Sequence, residues 1–140
     1  MTKSLAGLVA GLLLASLGMR SVPQPMGEEK PEGSNVVIEL RIYRIKAGKR
    51  NDFVQLFDEK GVGAMEAVGM RILGQFTSLE DETTFVYLRA FASQVERQRQ
   101  SEAFYGGRAW KEEFEKEVLA MIEDSSNVLL LRPTAGSRIR

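Results

Sequence analysis

One segment of this chain, residues 36–43, places an acid, a base and a phenol at alternating positions. Its sequence is VVIELRIY, so Glu39, Arg41 and Tyr43 share one face of a predicted strand, because successive side chains of a strand point to opposite faces. The other face is apolar, which suits packing against helices. Ionic groups are costly to bury unless they are paired. We therefore expect the face of Glu39 to meet water, a ligand cavity or a partner chain.

Two later predicted strands carry residues whose side chains would lie on the same face of the sheet as Glu39. These residues are Phe85, Tyr87, Arg89 and Phe91 in one segment and, if the register follows the polar phase, Arg71, Leu73, Gln75 and Thr77 in the other. Two arginines near one glutamate can bind a carboxylate or phosphate, and a tyrosine can stack or hydrogen-bond. The candidate pocket for a small acidic ligand therefore comprises Glu39, Arg41, Tyr43, Gln75, Tyr87 and Arg89. Two alternatives stay open: cross-strand ion pairs of Glu39 with Arg41 or Arg89 at a dimer seam, and catalysis.

The composition excludes several classes of chemistry. The chain has no Cys and no His, which rules out disulfides, zinc–thiolate sites, a Ser-His-Asp triad and a histidine general base. We expect no metal and no cofactor. Lys and Arg number 19, as do Asp and Glu, so the basic footprint of a nucleic-acid binder is missing and we expect no nucleic-acid partner. Carboxylate, Tyr, Lys, Arg and backbone groups remain, and Glu39 would need strong desolvation to titrate near neutral pH.

Hydrophobic periodicity predicts one α+β domain over residues 35–133. The predicted strands are 35–45, 70–78, 83–91 and 127–131, and the predicted helices are 49–68, 93–104 and 108–123. The order β-α-β-β-α-β is that of the ferredoxin-like fold, an antiparallel sheet with helices on one face. We expect the helices to cover the face of Ile38 and Leu40. The face of Glu39 would then be left for a second copy of the chain, in a dimeric α/β barrel.

Within the predicted helices, most charged residues are interpreted as solvated. Ser93 and Glu96 have the spacing of a capping box, and Arg97 and Arg99 are interpreted as helix surface. The four-residue spacing of Trp110 and Phe114 is typical of core packing.

The N-terminal segment differs in character from the domain. Residues 5–17 are uncharged and apolar after Lys3, which is typical of an export signal over residues 1–18, cleaved after Gly18 or retained as a membrane tether. A buried helix and a mitochondrial transit peptide are the alternatives. Residues 19–34 are rich in proline, glycine and charge and are predicted to be a disordered linker, and 134–140 a polar tail. We expect a periplasmic or extracellular location.

An ordered set of motifs resembles the NIPSNAP domain family. The motifs are Glu39-Leu40-Arg41-x-Tyr43, then Gly48, Phe53 and Phe57, then Gly69-x-x-x-x-Gly74-x-Phe76, Trp110-x-x-x-Phe114 and Leu131-x-Pro133. The chain departs from the family at Ala47, where proline is usual, at Val68, where histidine is frequent, and in the turn 79–82. The resemblance implies a fold like that of the dimeric α/β-barrel proteins, which include cofactor-free monooxygenases of antibiotic biosynthesis.

The resulting functional prediction is an exported homodimeric domain that binds a small molecule or a protein without catalysis. The alternative is a cofactor-independent monooxygenase or isomerase that uses Tyr43 or Tyr87 with Arg41.

Overall fold

The computed structural model describes residues 35–139, which form one antiparallel sheet with helices. The strands are β1 (Val37–Ile45), β2 (Arg71–Thr77), β3 (Thr84–Phe91) and β4 (Ile122–Leu131). They lie in the order β2-β3-β1-β4. The predicted export segment and linker fall outside the described residues. In the described part of the chain, no helix has the length and apolar character needed to cross a membrane.

Two helical regions connect the strands, and each contains a π-helical segment. The first comprises α1 (Arg50–Leu56), a first π segment (Phe57–Gly61) and α2 (Val62–Glu66). The second comprises α3 (Gln94–Tyr105), a second π segment (Ala109–Phe114) and α4 (Glu115–Met121). The predicted N-cap is present, since the hydroxyl of Ser93 accepts a hydrogen bond from the backbone N–H of Glu96 at 3.1 Å.

The α+β, ferredoxin-like order β-α-β-β-α-β predicted from the sequence is confirmed. The last strand is longer than predicted, because β4 begins at Ile122 rather than at Asn127. Its first half is polar and carries no strand-like alternation, but it pairs with β1 through register shifts near Arg44. Such irregularities bend a strand and re-aim its side chains.

The prediction of which sheet face the helices cover was wrong. The helices pack on the face of Glu39, Arg41 and Tyr43, because the rings on that face form the main core cluster, whereas Ile38 on the opposite face is buried outside this cluster. The core residues that share this phase are Tyr43, Ile45, Phe85, Tyr87 and Phe91. Aromatic rings bury more apolar area than the aliphatic alternatives. The paired charges described below make the burial of Glu39 tolerable.

The opposite side of the sheet, which we call the outer face, is apolar. It carries Ile38, Leu40 and Ile42 of β1, Val86 and Leu88 of β3, Phe76 of β2, and Leu129 and Leu131 of β4, which register places opposite one another. Phe76, Leu129 and Leu131 keep 55%, 49% and 42% of their surface exposed. Exposed apolar area of this extent is typical of an interaction surface.

Candidate functional site

A fully buried carboxylate lies at the centre of an ion cluster beneath the helices. Glu39 accepts hydrogen bonds from Arg41 Nη1 at 2.6 Å and from Arg89 Nη2 at 2.8 Å on Oε1. Its Oε2 accepts from Arg97 Nε at 2.6 Å. Strand register produces part of this geometry, since Glu39 is directly opposite Arg89 in the β1–β3 pair. Three guanidinium groups around one carboxylate leave two positive charges in surplus within the cluster.

The arginines determine the charge state of Glu39. Burial by itself would raise the pKa of the carboxyl group, but the charges of Arg89 and Arg41 and the hydrogen bonds from Arg41 and Arg97 outweigh it and hold the pKa below its ordinary value. Glu39 is therefore an anion at neutral pH. It serves as an anchor for the guanidinium groups and not as a proton acceptor.

Arg41 keeps one side of its guanidinium group free. Its Nη1 is committed to Glu39, whereas its buried Nε has no hydrogen-bond partner among the described residues. The guanidinium carbon lies 5.5 Å from the ring centroid of Tyr43, which is cation–π distance. A buried donor without an acceptor is energetically costly, so this nitrogen marks a place where an acceptor would be stabilised.

Arg89 is enclosed by the core, and its Nε, like that of Arg41, is buried without a hydrogen-bond partner among the described residues. One of its Nη1 contacts is with the sulfur of Met70 at 3.4 Å, and another is with the hydroxyl of Tyr105 at 3.5 Å. Its guanidinium carbon lies 5.5 Å from the ring centroid of Phe91. These contacts fix Arg89 behind the cluster, where it supports Glu39.

A cavity of about 160 Å³ lies beside Arg41, between the sheet and the helices. Half of the lining residues are aromatic, and these are Tyr43, Phe53, Phe57, Tyr87, Phe104, Tyr105, Trp110 and Phe114. Arg41 is the one charged side chain among the described lining residues. Leu119, which is exposed, and Ser125 also border the cavity, so we place its opening toward α4 and the start of β4.

Both π-helical segments border this cavity. The first contributes Phe57 and Gly61, and the second contributes Trp110 and Phe114. π-helical turns are rare and occur frequently at functional sites. At Gly61 the wall is bare backbone, and a β-carbon added there would lie 3.6 Å from the ring of Phe57. The two widened turns and this glycine together leave the space open.

Two phenols meet at the cavity wall. The hydroxyl oxygens of Tyr43 and Tyr87 lie 3.1 Å apart, and the two rings are nearly perpendicular, at 84°. Burial raises the pKa of Tyr43 and raises that of Tyr87 well above its ordinary value. Both groups are therefore protonated at neutral pH and can exchange hydrogen bonds with a ligand.

The six predicted site residues fall into three places. Arg41, Tyr43 and Tyr87 line the cavity. Glu39 and Arg89 lie buried in the ion cluster beside it. Gln75 is opposite Tyr87 in the sheet, but its amide donates to the Asp58 carboxylate at 2.9 Å near the surface.

Sequence reasoning missed the helical half of the site. Arg97 was interpreted as helix surface, yet it reaches Glu39, whereas the exposed Arg99 pairs with Glu96 as a surface residue would. The seven-residue spacing from Arg97 to Phe104 was the available signal, because it places both on one face of α3. Trp110 was assigned to the core and also lines the cavity.

The described residues contain no group of three or more Asp, Glu, His or Cys side chains able to hold a metal ion.

A family model described as NIPSNAP matches residues 38–138 of the chain. The chain is similar to a solved NIPSNAP family protein from Agrobacterium tumefaciens, with 25% identity, coverage of 75% of this chain and 91% of that one, and a TM-score of 0.67. It is also similar to an uncharacterized NIPSNAP-like domain protein from Burkholderia xenovorans, with 22% identity, coverage of 74% and 90%, and a TM-score of 0.68.

A more distant likeness concerns the fold alone. A candidate antibiotic biosynthesis monooxygenase from Chloroflexus aurantiacus has 12% identity, coverage of 75% of this chain and 99% of that one, and a TM-score of 0.51. No curated protein matches the chain significantly.

Proposed function

The chain belongs to the NIPSNAP family, and we propose that it is an exported homodimeric binding protein whose cavity takes a small, largely apolar ligand with one acidic group. The observation that carries this proposal is that Arg41, whose buried Nε has no acceptor among the described residues, is the one charged side chain among the described residues that line the aromatic cavity. An anionic oxygen placed there gains a charge-assisted hydrogen bond, which is stronger than a neutral one.

The surplus charge of the ion cluster supports an acidic ligand over a neutral one. Glu39 neutralises one of the three guanidinium groups that surround it. A ligand carboxylate beside Arg41 would compensate a second positive charge in an environment of low dielectric, where Coulomb interactions are strong. The apolar body of the ligand would replace water against the aromatic walls.

The protonation states support binding over catalysis. A cofactor-independent oxygenase or isomerase needs a group that accepts a proton near neutral pH. The arginines hold the pKa of Glu39 low, and burial raises the pKa of Tyr43 and Tyr87. None of the three groups is poised for that role, so we favour a protein that binds its ligand unchanged.

The outer face supports the homodimer. Its exposed residues Phe76, Leu129 and Leu131 are apolar, and the same face on a second copy has the same character. A two-fold axis would bury both faces in one self-complementary interface, which for a stable dimer amounts to about 1,600 Å². The partner surface is thus the aliphatic side of the sheet and not the side of Glu39.

Export is proposed from the sequence of residues 1–18. An uncharged apolar run after Lys3, followed by small residues at 16 and 18, has the pattern of a secretory signal. Fractionation of cells that express the full chain tests this proposal. Recovery of the protein in the cytoplasmic fraction with Met1 intact would contradict it.

The binding proposal is tested by calorimetry with small carboxylic acids and their primary amides. We expect acids to bind and the matched amides to bind at least tenfold more weakly, because only the acid compensates Arg41. Arg41→Met, which keeps much of the side-chain volume, should abolish acid binding. Arg99→Met is the control, since Arg99 pairs with Glu96 at the surface. Unchanged binding by Arg41→Met, or no binding by any acid, would overturn the proposal.

A further inference from the structure

We infer that the ligand of this cavity is a carboxylate carried on a single six-membered aromatic ring. This inference rests on the proposed function and narrows it. The proposed function requires only a ligand with an apolar body and one acidic group. The volume of the cavity and its aromatic walls specify the apolar body as one aromatic ring, and the unpaired edge of Arg41 specifies the acidic group as a carboxylate.

The volume of the cavity corresponds to one ring. It measures about 160 Å³, and an apolar protein cavity of about 150 Å³ is known to hold one benzene molecule. Two fused rings exceed that space unless the walls move. The walls are closely packed, with Phe57 and Tyr87 ring centroids 4.8 Å apart and Tyr105 and Trp110 centroids 5.1 Å apart.

The walls favour an aromatic body over an aliphatic one of equal size. Lining rings already meet in edge-to-face pairs, at 84° for Tyr43 with Tyr87 and 83° for Tyr105 with Trp110. A bound ring would extend this arrangement, and each favourable ring pair strengthens an interaction about two- to tenfold beyond the area that it buries. A saturated ring or a linear chain gains the burial without the ring pairs.

The free edge of Arg41 favours a planar carboxylate. Its Nη1 is bonded to Glu39, and neither Nε nor Nη2 has a hydrogen bond to any described residue. Nε and Nη2 lie along one edge of the planar guanidinium group. A carboxylate that meets this edge can accept one hydrogen bond from each of the two nitrogens. The guanidinium carbon of Arg41 lies 5.5 Å from the ring centroid of Tyr43, so an aromatic wall of the cavity is close to this group.

The experiment is a calorimetric comparison of four acids on the full chain: benzoate, cyclohexanecarboxylate, hexanoate and 2-naphthoate. We expect benzoate to bind at least fivefold more tightly than cyclohexanecarboxylate and hexanoate, and at least tenfold more tightly than 2-naphthoate. If cyclohexanecarboxylate, hexanoate or 2-naphthoate binds as tightly as benzoate, this inference is overturned and the proposed function stands. If none of the acids binds, both are overturned.

A pair of glycine variants tests whether benzoate occupies this cavity. Gly61→Leu extends a side chain from the cavity wall, whereas Gly63→Leu in the same helical region meets nothing within 4 Å of its β-carbon. We expect Gly61→Leu to weaken benzoate binding at least tenfold and Gly63→Leu to leave it unchanged. Wild-type binding by Gly61→Leu would overturn the assignment. If that variant does not fold, Gly61→Ala replaces it, with a smaller loss expected and unchanged binding again contradicting the inference.

Discussion

Glu39 of β1 and Arg89 of β3 lie directly opposite each other on neighbouring strands. Arg89 Nη2 and Glu39 Oε1 form an ion pair at 2.8 Å, and both side chains are almost fully buried. The pair lies under the helices of the same chain. Arg41 and Arg97 complete the cluster on the same carboxylate. Removal of the one negative charge therefore leaves three guanidinium groups close together, and this asymmetry leads to the first two predictions.

Glu39→Gln should strongly destabilise the domain. Breaking a buried ion pair by removing one partner costs about 3–5 kcal/mol, because the remaining charge is buried without compensation. We expect a loss of this size in the free energy of unfolding measured by urea denaturation. Glu112→Gln is the control, since Glu112 pairs with Arg108 at the exposed surface and such pairs contribute little. Similar effects of the two substitutions would contradict the assignment of a buried cluster.

The same carboxylate should make stability depend on acid pH. The pKa of Glu39 is lower in the folded protein than its ordinary value of 4.5, so the folded state favours the ionised form. Its contribution is fully present above that ordinary value and is lost as pH falls through the lowered folded-state pKa. Urea denaturation from pH 7 to pH 3 should show the stability difference between wild type and Glu39→Gln shrinking as the pH falls. A difference that stays constant over this range would show that the charge is unimportant.

Leu129→Glu should separate the proposed dimer into monomers. Leu129 lies on the outer face, opposite Leu40 in the β1–β4 pair, and a carboxylate introduced there would be buried without a partner in the proposed apolar interface. Leu79→Glu is the matched control, because Leu79 is fully exposed in the β2–β3 turn. Analytical ultracentrifugation at micromolar concentration should show a dimer for wild type and Leu79→Glu and a monomer for Leu129→Glu. A monomeric wild type would refute the dimer.

Alanine at the helical glycines should raise stability. Glycine in a helix costs about 0.5–1 kcal/mol relative to alanine, and a β-carbon at Gly61 or Gly63 meets no close contact. We expect gains of that order in thermal or urea unfolding for both variants. Gly69→Ala should do the opposite, because Gly69 has a φ of +97° and its β-carbon would lie 3.1 Å from the amide nitrogen of Gln100. Stabilisation by Gly69→Ala would contradict the described turn.

Local sequence patterns were sufficient to predict the elements and their order, but not the side of the sheet that becomes the core. From the alternation of β1, the aliphatic side that contains Ile38 was predicted to face the core. Which side of the sheet is buried depends also on β3, whose Phe85 and Tyr87 lie on the side of Glu39 and bury more apolar area. The cost of burying Glu39 is offset by Arg97, which is 58 residues away in sequence. No local pattern contains such a pairing.

In the candidate site, too, some features could be predicted from local sequence patterns and others could not. Arg41, Tyr43 and Tyr87 could be grouped from the sequence because strands alternate strictly. The cavity also depends on two π-helical turns and on Gly61, and the periodicity of the predicted helices 49–68 and 108–123 does not distinguish such turns from regular α-helix. Its volume follows from how those turns pack against β1 and β3, and that packing is a property of the whole domain.

Trp110 is the only tryptophan of the chain, and its indole borders the cavity at 5.1 Å from the Tyr105 centroid and 5.5 Å from that of Phe104. The protein therefore contains a single tryptophan, and it lies in the wall of the proposed binding cavity. Any molecule that displaces water from this indole alters its emission maximum and intensity, with no second tryptophan to obscure the change. Occupancy of the cavity can thus be followed in the unlabelled protein by tryptophan fluorescence.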